Sequence, residues 1–166
     1  MSDKQEHRIL QLIARIEDGL LVILLSTMIV LAGSQIILRN IFSTGFVESD
    51  SILKILVLWV GMLGAVVATR ERKHISIDIL SRYLSAKHRA YSEIIIDVFV
   101  VIVCGMLATH SMRMLLVDYE AKTTAFSGVP TWLLESILPV AFTIITLRYL
   151  MFSWQGLMAL RSGSGK

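Results

Sequence analysis

The amino-acid sequence predicts an all-α integral membrane protein, with four transmembrane helices and an interfacial amphipathic helix between the second and the third. In a chain of 166 residues, 55% are hydrophobic and only 17% are charged, whereas soluble domains carry about 25% charged residues. The apolar residues also fall in long uncharged runs. The run from Gly19 to Leu38 contains 20 residues without a charge, which is enough to cross the roughly 30 Å of a hydrocarbon core.

These runs predict one transmembrane domain over residues 19–154. Its spans are expected at residues 19–40, 51–69, 91–117 and 131–154. Residues 1–18 form an amphipathic segment, which is either an interfacial helix or the first turns of the first span, and residues 155–166 form a polar tail. The first apolar run continues past the small residues Ala32 to Ser34, so an uncleaved span is favoured over a signal peptide.

The second span is short and rich in small residues. Lys54 and Arg70 bracket only 15 uncharged residues, about 22 Å of helix. Small residues four apart let two helix backbones approach closely, although chance spacing in an apolar helix is the alternative. We expect a packing face that also contacts a partner, formed by Trp59, Gly61, Gly64, Ala65 and Ala68.

A basic segment, residues 70–90, separates the second and third spans. It begins at Arg70 and contains His74 and Asp78, which we expect at the membrane interface. Its isoleucines also alternate as in a strand, but an isolated strand at a membrane edge would leave its backbone unpaired. The sequence therefore predicts an amphipathic helix lying at the membrane surface.

Four ionisable residues lie within the third and fourth spans. Asp97 and Arg148 are expected at similar depth in the membrane, so they are predicted to form an ion pair. Arg113 and Glu135 are expected near the opposite end of the spans and are predicted to form a second pair. Such pairs are either structural, fixing the register of the helices, or part of a proton or ion relay. Pro139 removes a helical hydrogen bond and should kink the fourth span.

No pattern in the sequence indicates catalysis or a cofactor. We find no nucleophile beside a base, no glycine-rich phosphate loop, and no histidine with a second histidine or a cysteine at i+3 or i+4. Cys104 lies in an apolar run and is expected to be a small buried hydrophobe. The basic residues cluster beside the apolar spans, so they indicate membrane topology and contact with lipids rather than nucleic-acid binding.

The distribution of Lys and Arg predicts the orientation. The N-terminal segment, the central basic segment and the tail together hold 11 of the 16 Lys and Arg residues, against four on the other side and Arg148 within a span. The positive-inside rule therefore places both termini and the central basic segment in the cytoplasm.

Two ordered patterns of residues resemble one family, the small membrane subunit (DctQ-like) of tripartite ATP-independent periplasmic (TRAP) transporters. The first pattern is Glu48, Trp59, Gly64, Ala65, Arg70, His74, Ile75, Ile77 and Asp78. The second is Pro130, Trp132, Pro139, Leu147 and Arg148. Chain length and four spans are also similar, so the resemblance covers nearly the whole chain.

The resemblance implies a scaffold subunit with no substrate or sodium site of its own. It would support a large multi-spanning subunit in which sodium couples transport, and a soluble periplasmic binding protein would deliver an organic acid, such as a C4-dicarboxylate or a sialic-acid-like sugar acid. The alternative from another class is a self-assembling four-helix channel or small-molecule exporter. A channel needs a polar stripe in every span, and the second span has none between Lys54 and Arg70.

Overall fold

The computed structural model describes residues 3–41, 49–70 and 86–161. The helices are α1 (Asp3–Ile41), α2 (Ser49–Arg70), α3 (Ala86–Ala121), α4 (Thr131–Glu135) and α5 (Ile137–Arg161), with a 3-10 turn at Phe126–Gly128. Four segments are long and apolar enough to cross a membrane: Gln11–Ile41, Ser49–Arg70, Tyr91–Ala121 and Thr131–Met158. The predicted all-α fold with four transmembrane helices is confirmed. The predicted interfacial helix lies outside the described residues.

The spans pack in an open row rather than a closed bundle. Helix α1 packs on α2, α2 packs on α5, and α5 packs on α3. Helices α1 and α3 are therefore the two edges of the row. One end of the row, where α2 finishes, is called the Arg70 end below, and the other is called the loop end because residues 122–130 connect α3 to α4 there. Within the described part of the chain, both faces of the row are left for lipid or other protein.

Helix α1 contacts α2 through one narrow seam. Its half-buried residues recur at alternating steps of three and four, which is the heptad spacing of two packed helices. The seam consists of Ala14, Glu17, Leu21, Leu24, Met28, Leu31, Gln35 and Leu38. Helix α1 is continuous from Asp3, so the amphipathic segment before Gly19 belongs to the same helix as the first span.

Helix α3 and the fourth span (α4 and α5) form a long antiparallel hairpin with a constant register. Near the loop end, the rings of Tyr119 and Trp132 meet edge to face with centroids 5.7 Å apart. Farther along, Gly105 faces Thr146. At the Arg70 end, Gly156 lies so close to α3 that an added Cβ would be 3.2 Å from Cγ1 of Ile94. The two helices therefore stay in contact along their whole shared length.

The buried core is small and lies where α2, α3 and α5 meet. Val66, Ala141 and Ile145 are its fully buried members. Cys104 of α3 packs against this group and is half-buried, as a small apolar side chain would be. Most other large apolar side chains are exposed on the outside of the row. That distribution is expected of helices whose outer surfaces lie in hydrocarbon rather than in water.

The loop end is closed by an ordered turn and a break in the fourth span. The amide of Thr131 donates to the carbonyl of Thr123 at 3.0 Å, and that of Ala125 donates to Val129 at 2.8 Å. Gly128 has φ +78°, a conformation that glycine adopts without steric cost. The fourth span is interrupted at Ser136, one turn before Pro139; proline cannot donate to the carbonyl four residues earlier, which is that of Glu135.

Candidate functional site

A cluster of charged side chains joins three helices at the Arg70 end. It consists of Glu17 and Asp18 from α1, Thr69 and Arg70 from α2, and Arg148 from α5, and is called the charged cluster below. Glu17 lies on the α1 seam, and Thr69 and Arg70 form the last turn of α2. The three helices thus bring two acids and two arginines together within the membrane-spanning part of the chain.

Arg148 makes three contacts at the centre of the charged cluster. Its Nη2 donates to Oε1 of Glu17 at 2.5 Å, and its Nη1 donates to the carbonyl of Val66 at 2.5 Å and to Oγ1 of Thr69 at 3.1 Å. The Thr69 hydroxyl in turn donates to the Val66 carbonyl at 2.6 Å. A cation at this position is also favoured by the negative end of the α2 dipole.

Arg70 completes the neutralisation of the charged cluster. Its Nη2 donates to Oδ1 of Asp18 at 2.6 Å, and its Nη1 lies 3.6 Å from Oε2 of Glu17. The Glu17 side chain is only 14% exposed, whereas that of Asp18 is 50% exposed. Glu17 therefore serves two arginines in a largely desolvated position, and we infer that it is the acid on which the charged cluster depends.

The predicted pair of Asp97 and Arg148 is wrong, because Arg148 pairs with Glu17. The register of the α3 hairpin gives the reason. Ile94 faces Gly156 and Gly105 faces Thr146, so Asp97 is level with Ser153. That is five residues past Arg148, or about 8 Å along the helix. Asp97 is nevertheless 4% exposed in α3, so its carboxylate lies inside the protein rather than in lipid.

The predicted pair of Arg113 and Glu135 is also wrong. Arg113 lies on the exposed side of α3, away from the fourth span, and makes no ion pair with any described residue. Glu135 is half-buried and has the carboxylate of Asp118 beside it. Asp118 also accepts a hydrogen bond from Oγ1 of Thr123 at 3.1 Å. Position 118 faces the fourth span and position 113 does not. The prediction compared only the depth of the residues along the helices and did not include which side of α3 each residue lies on.

The small residues of the second span do not form one internal packing face. Only Gly64 faces α1, where an added Cβ would be 3.9 Å from Cδ1 of Leu21. Gly61, Ala65 and Ala68 are exposed. Together with Lys54 and Val57 they form the exposed stripe of α2, since both sides of this helix are covered by its neighbours. This set is called the α2 stripe below.

Trp59 points in another direction and links α2 to the loop end of the fourth span. Its Nε1 donates to the carbonyl of Leu134 at 2.9 Å. Leu134 lies just before the break at Ser136, so the indole fixes the short helix α4 against α2. The remaining sequence-predicted site residues, Glu48, His74 and Asp78, lie outside the described residues.

Comparison with known protein families shows which family this chain belongs to. The family described as tripartite ATP-independent periplasmic transporters, DctQ component, matches residues 28–159. The chain belongs to the DctQ family. This family is a component of a transporter, so the charged cluster and the α2 stripe are features of a multi-pass subunit of a TRAP permease. The resemblance drawn from the sequence is confirmed.

Two relatives of the DctQ chain come from Haemophilus influenzae. Over 117 residues it is 28% identical to the sialic acid TRAP transporter permease protein SiaT of strain 86-028NP, covering 70% of this chain and 19% of SiaT. Over 110 residues it is 30% identical to a protein of strain Rd named as a TRAP transporter small permease protein, covering 64% of this chain and 66% of that protein. The match thus spans about a fifth of the first relative's length and just under two thirds of the second's.

Three residues of the charged cluster, Glu17, Asp18 and Thr69, were not among the sequence-predicted site residues, and the acid on which the cluster depends is Glu17. It was grouped with the amphipathic N-terminal segment, where an acid is expected to face water or headgroups. The signal that could have found it is the heptad spacing from Ala14 to Leu38, which places Glu17 on the same seam as Leu21 and Leu24. An acid on an otherwise apolar seam of a membrane helix indicates a buried partner.

Proposed function

We propose that this chain is the scaffold subunit of a sodium-coupled TRAP transporter that imports an organic acid. In this role it binds a large multi-spanning subunit, which holds the substrate and sodium sites, and a periplasmic binding protein delivers the substrate. The chain itself supplies helices that hold the large subunit in place. The substrate class we propose is that of C4-dicarboxylates and sialic-acid-like sugar acids.

The observation that carries this proposal is the open row of helices. Among the described residues the row encloses no pathway between its helices, and its two faces expose apolar side chains along the spans. Among the described residues, Glu17, Asp18, Arg70 and Arg148 bind one another within the charged cluster. These features favour a scaffold over a self-assembling channel, which would need a closed ring of helices around a polar stripe.

The α2 stripe is the surface we propose for close contact with the large subunit. Gly61, Ala65 and Ala68 recur at steps of four and three, so they lie on one face of the helix. An added Cβ at Gly61 would have no atom within 4 Å, which leaves room for a helix of another chain. Small residues on a membrane helix permit such close approach.

The lengths of the relatives support a larger partner. In SiaT, which is named a permease, the region similar to this chain makes up only 19% of the protein. The remaining part of SiaT is long enough to be a large subunit, and we propose that a separate protein takes its place beside this chain. From the name of SiaT we take only the broad class of its substrate, an organic acid, as a proposal for this chain.

The orientation we propose places the Arg70 end in the cytoplasm and the loop end in the periplasm of a bacterial inner membrane. This follows from the excess of Lys and Arg in the N-terminal segment, the central basic segment and the tail. In this orientation the ordered turn at residues 122–130 faces the compartment from which a binding protein would approach.

Co-purification tests the proposal. The tagged chain is produced together with the large subunit of its transporter and is extracted from membranes in mild detergent. We expect both subunits to elute in one complex, whereas an unrelated four-span protein with the same tag should recover none of the large subunit. Separate elution of the two subunits under these conditions would overturn the scaffold assignment.

A further inference from the structure

The free face of α3 changes character along its length. Helix α3 is an edge of the row, and one side of it has no neighbouring helix among the described residues. Toward the Arg70 end this side is aliphatic and aromatic, with Ile95, Phe99 and Ile102 all more than half exposed. Toward the loop end it carries Met106, Thr109, His110 and Arg113 beside Val117, with Met112 and Met114 exposed on its two flanks. The methionines and polar residues of this set, Met106, Thr109, His110, Met112, Arg113 and Met114, are called the α3 patch below.

His110 and Arg113 are the polar centre of the α3 patch. They are three residues apart and therefore neighbours on the helix surface. Neither takes part in a hydrogen bond or ion pair among the described residues. Both lie inside the span Tyr91–Ala121. The end of the helix is about 12 Å from Arg113 and about 16 Å from His110, at 1.5 Å per residue.

Lipid alone is a poor environment for this pair. The long side chain of Arg113 can extend toward the headgroups at the loop end, but an imidazole one turn deeper is too short to reach them. Hydrocarbon offers neither side chain a hydrogen-bond acceptor, so ionisable residues on a span usually meet protein groups. A carboxylate on a neighbouring helix would neutralise Arg113 and accept a hydrogen bond from His110.

The methionines fit the same interpretation. Met106, Met112 and Met114 are flexible and polarisable, so they adapt to an irregular protein surface. The other edge of the row offers a contrast. On α1 the exposed hydroxyls of Thr27 and Ser34 donate to the carbonyls of Ile23 and Leu31 in their own helix, so these two donors are satisfied without a partner from another chain.

From this juxtaposition we propose that the α3 patch docks against a helix of the large transporter subunit that presents a carboxylate to Arg113 and His110. The inference rests on the proposed function, because it takes the large subunit as the partner. The inference gives the large subunit a second contact surface, separate from the α2 stripe, and names the ionic and hydrogen-bonding groups that would form it.

Photo-cross-linking in the assembled complex tests the location of this contact. A photoreactive amino acid is placed at Met106 or Met114 and, as a matched control on the same exposed side, at Ile95. We expect adducts with the large subunit from the first two positions and none from Ile95. Adducts with lipid only, or with a second copy of this chain, would overturn the proposal.

A charge reversal tests the chemistry. Arg113→Glu should reduce the recovered large subunit by about tenfold or more, because a like charge would face the carboxylate. Arg39→Glu is the control, since Arg39 is also an exposed cation near the loop end of a span, on the opposite edge of the row. A carboxylate-to-lysine change in the large subunit at the cross-linked position should restore recovery with Arg113→Glu.

The outcomes separate this inference from the proposed function. If the wild-type chain does not co-purify with the large subunit, both fail. If it does, but Arg113→Glu and Arg39→Glu recover equal amounts of the large subunit, only the docking of the α3 patch is overturned. Should Arg113→Glu fail to accumulate, the cross-linking arm still decides, because it leaves Arg113 in place.

Discussion

Arg148 of the fourth span and Glu17 of the first helix form an ion pair of 2.5 Å across the end of α2. The two helices are not neighbours in the row, and the long arginine side chain spans the last turn of α2 to reach the acid. On the way its Nη1 donates to the Val66 carbonyl and the Thr69 hydroxyl. One guanidinium therefore fixes the relative positions of three helices.

This relationship predicts a strong effect of removing either partner. Glu17→Ala leaves Arg148 without its counter-charge in a mostly desolvated site, and Arg148→Ala does the reverse. Each should lower the free energy of unfolding by about 3–5 kcal/mol, measured by denaturant unfolding in detergent micelles. The double variant should lose clearly less than the two single losses combined, because neither charge is then left alone.

Two controls sharpen this cycle. Asp18→Ala removes an acid from a half-exposed pair with Arg70, so it should cost no more than about 1 kcal/mol. Asp97→Ala combined with Arg148→Ala should give additive losses, since the two residues are offset by about 8 Å along the hairpin. Strong coupling between Asp97 and Arg148, with none between Glu17 and Arg148, would contradict the structure.

The two glycines Gly156 and Gly61 should respond in opposite ways to the same substitution. A Cβ at Gly156 would be 3.2 Å from Cγ1 of Ile94, so Gly156→Leu should overpack the α3 hairpin and cost about 1–3 kcal/mol in the isolated chain. Gly61 is open, so Gly61→Leu should leave the isolated chain within about 0.5 kcal/mol of wild type. Its effect should appear instead as reduced recovery of the large subunit. Normal recovery with Gly61→Leu would argue against the α2 stripe as an interface.

Trp59→Phe tests the link between α2 and the break in the fourth span. Phenylalanine keeps the ring but removes the Nε1 donor to the Leu134 carbonyl. The loss of this part-buried hydrogen bond should cost about 0.5–1.5 kcal/mol, read from the same unfolding measurement. Trp154→Phe is a suitable control because Trp154 is 63% exposed. An equal effect of both substitutions would indicate that the Trp59 hydrogen bond contributes nothing specific.

The all-α fold with four spans could be predicted from the sequence because it depends on local composition. A run without charge, such as Gly19 to Leu38, identifies a span whatever it packs against. The choice of ion-pair partners could not be predicted in the same way. It depends on the register and rotation of two helices, and these are set by contacts such as Gly156 with Ile94. An error of five residues in register was enough to pair Arg148 with the wrong acid.

The α2 stripe shows a second limit of the sequence. Spacing alone placed Gly61, Gly64, Ala65 and Ala68 in one group, although Gly64 faces α1 and the other three face outward. That these small residues permit close approach stays a prediction, and the surface they form could be assigned only after the neighbours of α2 were known. The same holds for Arg113, whose exposure on α3 is a property of the assembled row.

Uptake of an organic acid into liposomes under an inward sodium gradient is the most direct test of the proposed scaffold role. Vesicles contain this chain alone, the large subunit alone, or both, and each is supplied with the loaded binding protein and a labelled organic acid. We predict sodium-dependent uptake only where the large subunit is present, at full rate when this chain accompanies it, and no uptake by this chain alone. Uptake of the acid by vesicles that contain only this chain would contradict the scaffold role.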